Sequence, residues 1–262
     1  MFGSSVRFSR RAALIAPLAL VLGLALTPQA ARAGETVVAV AANFTAAAKD
    51  IGEAFTKETG HTVKYSFGAT GQLYTQITQG APFEVFLAAD DERPAKAETE
   101  GLAVPDTRFT YAVGTLVLWS TDPALIDDQG EVLKKGTFEK IAIANPATAP
   151  YGAAALETMK AMGVFESLEP KIVQGNNISQ TQQFVASGSA ALGFVALSQV
   201  IDDPAGSRWV IPQEMYTPIK QDAVLLKTGE ASEAAKAYVE FLKSPAALEI
   251  IKRYGYGVGT PS

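Results

Sequence analysis

Asn43, Thr70, Tyr151 and Ile178 are the residues of this 262-residue chain whose types and placement suggest chemistry. The chemistry is the holding of a small anion by hydrogen bonds from uncharged groups. Each stands where a β-rich run gives way to a helical pattern. Thr36–Ala41 leads through Asn43 into a helix at Thr45–Thr59, and Val63–Phe67 leads through Gly68-Ala69-Thr70-Gly71 into a helix at about Gln72–Gln79. Ile141–Ala144 leads through the loop Asn145–Tyr151 into Gly152–Met162, and Lys171–Gln174 leads through Gly175–Asn177 and Ile178 into Ser179–Ser187. The first N–H groups of a helix have no carbonyl behind them, and that end carries roughly half a unit of positive charge. A strand-to-helix junction therefore favours an anion. Asn and Thr add donors there, and Gly lets the backbone come close, with no net charge.

Each junction also has an ordinary reading. Asn43 would serve as a plain helix cap, Thr70-Gly71 as a capping turn, and Tyr151 after Pro150 as a packed aromatic. Four such junctions split evenly between two lobes would converge when the lobes close. Catalytic readings are thinner. The single histidine, His61, falls in a polar loop and is expected to be solvated, and no G-x-S-x-G elbow accompanies it. Asp90-Asp91-Glu92 could suggest a metal-dependent enzyme, but it follows a strand, where a solvated turn or helix cap is the commoner role. No Walker-type glycine-lysine loop is present.

Short β-rich runs alternate with helical patterns along the whole chain, which reads as parallel βαβ units and an α/β fold. Val85–Ala88 and Thr115–Ser120 are further strands, and the series restarts at Ile141–Ala144 and runs on to Ala191–Val195. Ala223–Leu226 is a late strand, followed by helices at Ser232–Leu242 and Pro245–Tyr254. The expected division is a first lobe of residues 34–114 plus 223–262 and a second of residues 115–222. In open α/β sheets ligands sit outside the carboxyl ends of the strands, where the four junctions lie.

Residues 1–33 stand apart as a signal peptide. Arg7, Arg10 and Arg11 precede the apolar Ala12–Leu26, and Ala31-Arg32-Ala33 forms a cleavage site before Gly34. The apolar run is shorter than the roughly 20 residues of a membrane span. Ser9-Arg10-Arg11 is similar to a twin-arginine signal, but Ala13 stands where a bulkier apolar residue is usual, so general secretion is expected. The leader holds four of the 22 basic residues and none of the 27 acidic ones, so the remainder carries a net charge of −9. That charge argues against nucleic acid or anionic membrane as partner. With no cysteine there is no disulfide, no thiolate metal site and no lipid-anchoring route.

Several motifs together resemble the periplasmic molybdate-binding proteins of ABC importers. They are Ala41-Ala42-Asn43-Phe44-Thr45, Ser66-Phe67-Gly68-Ala69-Thr70-Gly71-Gln72-Leu73, Asn176-Asn177-Ile178-Ser179-Gln180-Thr181, Leu192-Gly193-Phe194-Val195-Ala196-Leu197-Ser198 and Arg253-Tyr254-Gly255-Tyr256. The resemblance covers nearly the whole chain after the leader. It implies a two-lobed, hinged, class II periplasmic-binding-protein fold, each lobe a mainly parallel sheet flanked by helices. It implies molybdate as ligand, with tungstate bound similarly, and a membrane permease as partner. The protein would be a periplasmic monomer, not an enzyme, with no cofactor and no metal other than the molybdenum of the oxyanion. Asn43 would donate from side chain and backbone, Thr70 from hydroxyl and N–H, Tyr151 from its hydroxyl or N–H, and Ile178 from its N–H. Ala196 stands where some members place a ligand tyrosine, and Glu84 where aspartate is usual. A different preferred oxyanion such as tungstate or sulfate, a secreted metal enzyme built on Asp90, Asp91 or Glu92, and a sensor docking to another membrane partner are the competing readings.

Overall fold

The computed structural model describes residues 1–5, 33–203 and 205–258. The chain divides into Met1–Arg32 and Ala33–Ser262, and every strand and helix among the described residues belongs to the second unit. The expected signal peptide lies almost wholly outside the described residues. In chain order the elements begin with β1 (Glu35–Ala41), α1 (Thr45–Thr59), β2 (Thr62–Gly68), α2 (Thr70–Thr78), β3 (Val85–Leu87), α3 (Glu92–Thr99) and β4 (Phe109–Gly114). They continue with β5 (Leu116–Ser120), α4 (Glu131–Lys135), β6 (Ile141–Ala144), α5 (Pro150–Ala161), α6 (Phe165–Leu168), β7 (Ile172–Gly175), α7 (Ile178–Ala186) and β8 (Leu192–Ala196). Then come β9 (Ser207–Val210), β10 (Ile219–Leu225), α8 (Glu233–Phe241) and α9 (Pro245–Arg253).

The strands form two five-stranded sheets, in the orders β2-β1-β3-β10-β4 and β7-β6-β8-β5-β9. In each sheet the first three strands are mutually parallel and the fourth is antiparallel to both neighbours, so four of five point one way. The two orders are one pattern used twice. Each sheet takes its reversed strand from just beyond a crossing of the chain, β5 after β4 and β10 after β9. The expected division between 222 and 223 falls inside β10, which belongs to the first sheet from Ile219 onward.

Local sequence explains most elements. The central strands β5 and β8 are buried at every residue, as strands covered by helices on both faces must be. In α1, Ala47, Ala48, Ile51 and Phe55 lie on one buried stripe, and the helix stops at Gly60, whose φ of 75° only glycine adopts at little cost. Asn177, Ser232 and Ser244 cap α7, α8 and α9 by accepting N–H groups of the first turn. Phe44, Ile51, Phe55, Tyr238 and Phe241 anchor the core beneath the first sheet. Leu116, Leu118, Phe194 and Trp209 anchor the second. Ala41, Ala42, Ala69 and Ala89, at the strand ends of the first half, join that second cluster beside Tyr151 and Ile178. The two halves therefore meet through small residues, with the carboxyl ends of their strands facing each other.

Candidate functional site

Asn43, Thr70, Tyr151 and Ile178 line one small cavity at the meeting of the halves, of about 10 Å³. Among the described residues the remaining wall is alanine, glycine and proline, and no charged side chain contributes to it. All four residues are at least nine-tenths buried. Four helix starts converge here. Asn43 sits in the 3-10 turn Ala42–Phe44 that opens α1, Thr70 is the first residue of α2, and Ile178 is the first residue of α7. Tyr151 follows Pro150, which opens α5 and loses nothing there because a first-turn N–H has no helical acceptor.

The donors are individually prepared. Ala89 N–H donates to Thr70 Oγ1 at 3.0 Å, so the Thr70 hydroxyl is fixed as an acceptor on that side and still has its own hydrogen to give. Tyr151 Oη likewise accepts from Gln221 Nε2 at 3.3 Å. Burial pushes the Tyr151 phenol well above its ordinary pKa, and the neighbouring Tyr256 and Tyr111 add to the effect. It stays a neutral donor across any physiological pH.

Asn43 differs from expectation. Its amide nitrogen donates to Gln221 Oε1 at 2.8 Å and to Tyr256 Oη at 3.1 Å, which uses both of its hydrogens. The side chain thus braces the site, and the backbone N–H is the donor left to Asn43. Its carbonyl is also held, accepting from Tyr256 Oη at 2.7 Å and Ser198 Oγ at 3.0 Å. Ser198 and Tyr256 lie in two of the motifs that carry the family resemblance, whereas Gln221 lies in none of them and carries no local signal that marks it as a site residue.

Further hydrogen bonds cross the cleft beside the packed alanines. Gly71 N–H donates to Thr148 O at 2.9 Å, Arg93 Nη2 to Ala147 O at 3.2 Å, and Ser179 Oγ to Ala42 O at 3.3 Å.

Other sequence expectations find different places. His61 is buried rather than solvated: its Nδ1 accepts from Gly34 N–H at 2.9 Å and its ring stacks on Phe55. Asp90 starts α3 by accepting Arg93 N–H at 3.0 Å and pairs with the Arg93 guanidinium. Burial raises its carboxyl pKa, against the pull of Arg93. Asp90, Asp91 and Glu92 border a second opening between the halves, but among the described residues no three His, Asp or Glu side chains gather as a metal set. Ala196 ends β8 and is not part of the cavity wall. Glu84 works locally, accepting from Ser232 Oγ at 3.1 Å.

Comparison with known proteins agrees with this geometry. Residues 36–257 match the family described as bacterial extracellular solute-binding protein. The chain is 64% identical over 239 residues to the molybdate-binding protein ModA of Rhodobacter capsulatus, covering 91% of this chain and 93% of the relative. It is 56% identical over 244 residues to that of Azotobacter vinelandii, covering 92% and 97%. The solved periplasmic molybdate-binding protein of Azotobacter vinelandii superposes with a TM-score of 0.83 at 41% identity, over 86% of this chain and all of that one. A sulfate-binding protein of Mycobacterium tuberculosis shares the fold at a TM-score of 0.71 and 15% identity. These matches place the chain in the bacterial extracellular solute-binding protein family, among its molybdate-binding proteins.

Proposed function

We propose that this protein captures molybdate, and tungstate with it, between its two lobes and delivers it to the permease of an ABC importer. The observation that carries the reading is the convergence of Asn43, Thr70, Tyr151 and Ile178 on one uncharged cavity. The ligand is held by the N–H groups of Asn43, Thr70 and Ile178 and by the hydroxyls of Thr70 and Tyr151. A hydrogen bond from a neutral donor to an ionised acceptor contributes about 1.5–3 kcal/mol. Several of these, with four helix starts, offset the desolvation of a dianion without a lysine or arginine. A neutral site also leaves no unpaired buried cation when empty.

Size and protonation set selectivity. A site shaped for molybdate gives smaller sulfate long bonds. Phosphate carries a proton near neutral pH and finds only donors, so one group stays unpaired. Binding shifts an open–closed equilibrium by hinge motion about the two chain crossings, and the closed form is what the permease meets. The protein works as a periplasmic monomer, after removal of residues 1–33 near Ala33/Gly34. It binds no nucleic acid, carries out no catalytic step and uses no cofactor.

Isothermal titration of the chain from Gly34 with molybdate, tungstate and sulfate tests this. One-to-one binding of the first two and no heat from sulfate is expected. Heat from sulfate alone, or from none of the three, overturns the assignment.

A further inference from the structure

We propose that Gln221 is a positioning residue that turns the Tyr151 hydroxyl into an obligatory donor toward the ligand while locking Asn43 in place. The proposal rests on the oxyanion-binding reading of the cavity. Gln221 lies on β10, near the point where the chain returns from the second sheet to the first, and is fully buried. Its amide faces two ways. Oε1 accepts from Asn43 Nδ2 at 2.8 Å, and Tyr111 Oη stands 3.2 Å away on the same side, sharing its hydrogen with Ala88 O at 3.0 Å. With donors on that side, the Nε2 group is directed to Tyr151 Oη, 3.3 Å away on the opposite half of the molecule.

A phenol has one hydrogen. Once Tyr151 Oη accepts from Gln221, its hydrogen must point elsewhere, and Tyr151 is a residue of the cavity wall. Gln221 thereby fixes the polarity of a group that could otherwise accept or donate. An acceptor lone pair facing an oxyanion would repel it, so this choice of polarity matters for affinity.

Two features of the chain serve this contact. In the β10–β4 register Gln221 faces Ala112 and Asp222 faces Thr110, so Tyr111 is an extra residue on β4, and such a bulge re-aims a side chain otherwise bound to alternate faces, here the Tyr111 hydroxyl that meets Gln221 Oε1. Asp222 is then free to pair with Arg108 and Thr110, each at 2.6 Å. On the neighbouring strand, Gly114 leaves the space in which the two groups meet. A Cβ there would overlap Tyr151 Oη and stand 2.8 Å from Gln221 Nε2.

The test is a double-mutant cycle read by isothermal titration with molybdate on the chain from Gly34. Gln221→Met, unbranched and similar in volume, removes both amide bonds. Gln221→Glu keeps the acceptors toward Asn43 but offers Tyr151 only another acceptor, turning the phenol hydrogen away from the cavity. Each is expected to weaken binding about tenfold or more, and Tyr151→Phe by a similar factor. In either Gln221 background, adding Tyr151→Phe is expected to change affinity less than twofold. Independent, multiplicative losses, or wild-type affinity in both Gln221 variants, overturn the proposal. Wild-type protein that fails to bind molybdate in the same series counts against the ligand assignment instead.

Discussion

Gly71 and Thr148 meet across the cleft through a single backbone hydrogen bond of 2.9 Å, from the N–H of one to the carbonyl of the other. A side chain at residue 71 would intrude on that contact. Its Cβ would stand 3.0 Å from Thr148 Cα and 3.1 Å from Arg93 Nη2. Gly71→Ala restricts the unfolded chain and so leaves ligand-free stability unchanged or raised by about 0.4–1 kcal/mol. Closure, by contrast, is obstructed. Molybdate affinity is expected to fall several-fold for Ala and more than tenfold for Leu, with reduced compaction on binding by small-angle scattering. Wild-type affinity in the Leu variant would show that this contact does not form in the bound state.

The Thr148 hydroxyl is buried there without a hydrogen-bond partner among the described residues. Leaving a polar group unpaired costs about 1–3 kcal/mol relative to leaving it in water. If opening the cleft hydrates it, that cost falls on closure. Thr148→Val is therefore expected to tighten molybdate binding several-fold in titration, with little change in the melting temperature of the ligand-free protein. Weaker binding would mean that the hydroxyl serves the bound state.

Thr70→Ala removes a hydroxyl from the cavity and also the acceptor of Ala89 N–H. Affinity should drop roughly 10- to 100-fold, and stability by about 1 kcal/mol or somewhat more, since a buried N–H is orphaned. Thr70→Ser should restore most of both. Calorimetric titration and thermal unfolding separate the two effects, and an Ala variant with full affinity would remove Thr70 from the site.

Four buried tyrosines, Tyr111, Tyr151, Tyr238 and Tyr256, have phenol pKa values raised by burial. Folded pKa above unfolded pKa means that their contribution is complete below pH 10 and is lost as pH rises past it. Each unit of pH beyond 10 then costs about 1.4 kcal/mol per tyrosine, roughly 5 kcal/mol together. Set against a typical stability of about 5–15 kcal/mol, unfolding should follow within a few units. Tyrosinate absorbance and circular dichroism should change together. Ionisation of these groups in the folded protein would contradict it. Molybdate affinity should stay flat from pH 6 to 9, because no donor at the cavity titrates there.

The local parts of this molecule are legible in its sequence and the distant ones are not. Ile141–Ala144 has the expected bounds because a short apolar run between turns leaves little choice. The helix starts at Asn43, Thr70, Tyr151 and Ile178 are visible for the same reason. Their common cavity accords with the rule that sheets gather function at strand ends. β4 and β9 escape a sequence reading: Phe109–Gly114 and Ser207–Val210 each lie at a sheet edge and owe their strand form to the reversed strand beside them. Gln221 and Tyr256 join Asn43 from 178 and 213 residues away, a relation no sequence window contains. The burial of His61 is hidden for a similar reason, since it depends on Gly34 and Phe55 and not on the polar residues around it.

The strand order of the first sheet has a consequence for synthesis. Its fourth position is β10, and its core includes α8 and α9, so that half stays incomplete until nearly the last residue has been made. At about 5–20 residues per second, the nascent chain spends roughly ten seconds or more without its closing strand. A truncation ending at residue 218 should accordingly lose protease resistance in the first half while β5 to β9 remain protected. The second half, contiguous from β5 to β9, can assemble early, whereas the first waits for its C-terminal strand and helices. An export apparatus that takes only unfolded thread would find half of this molecule still pliable throughout translation, so the topology itself extends the time available for translocation.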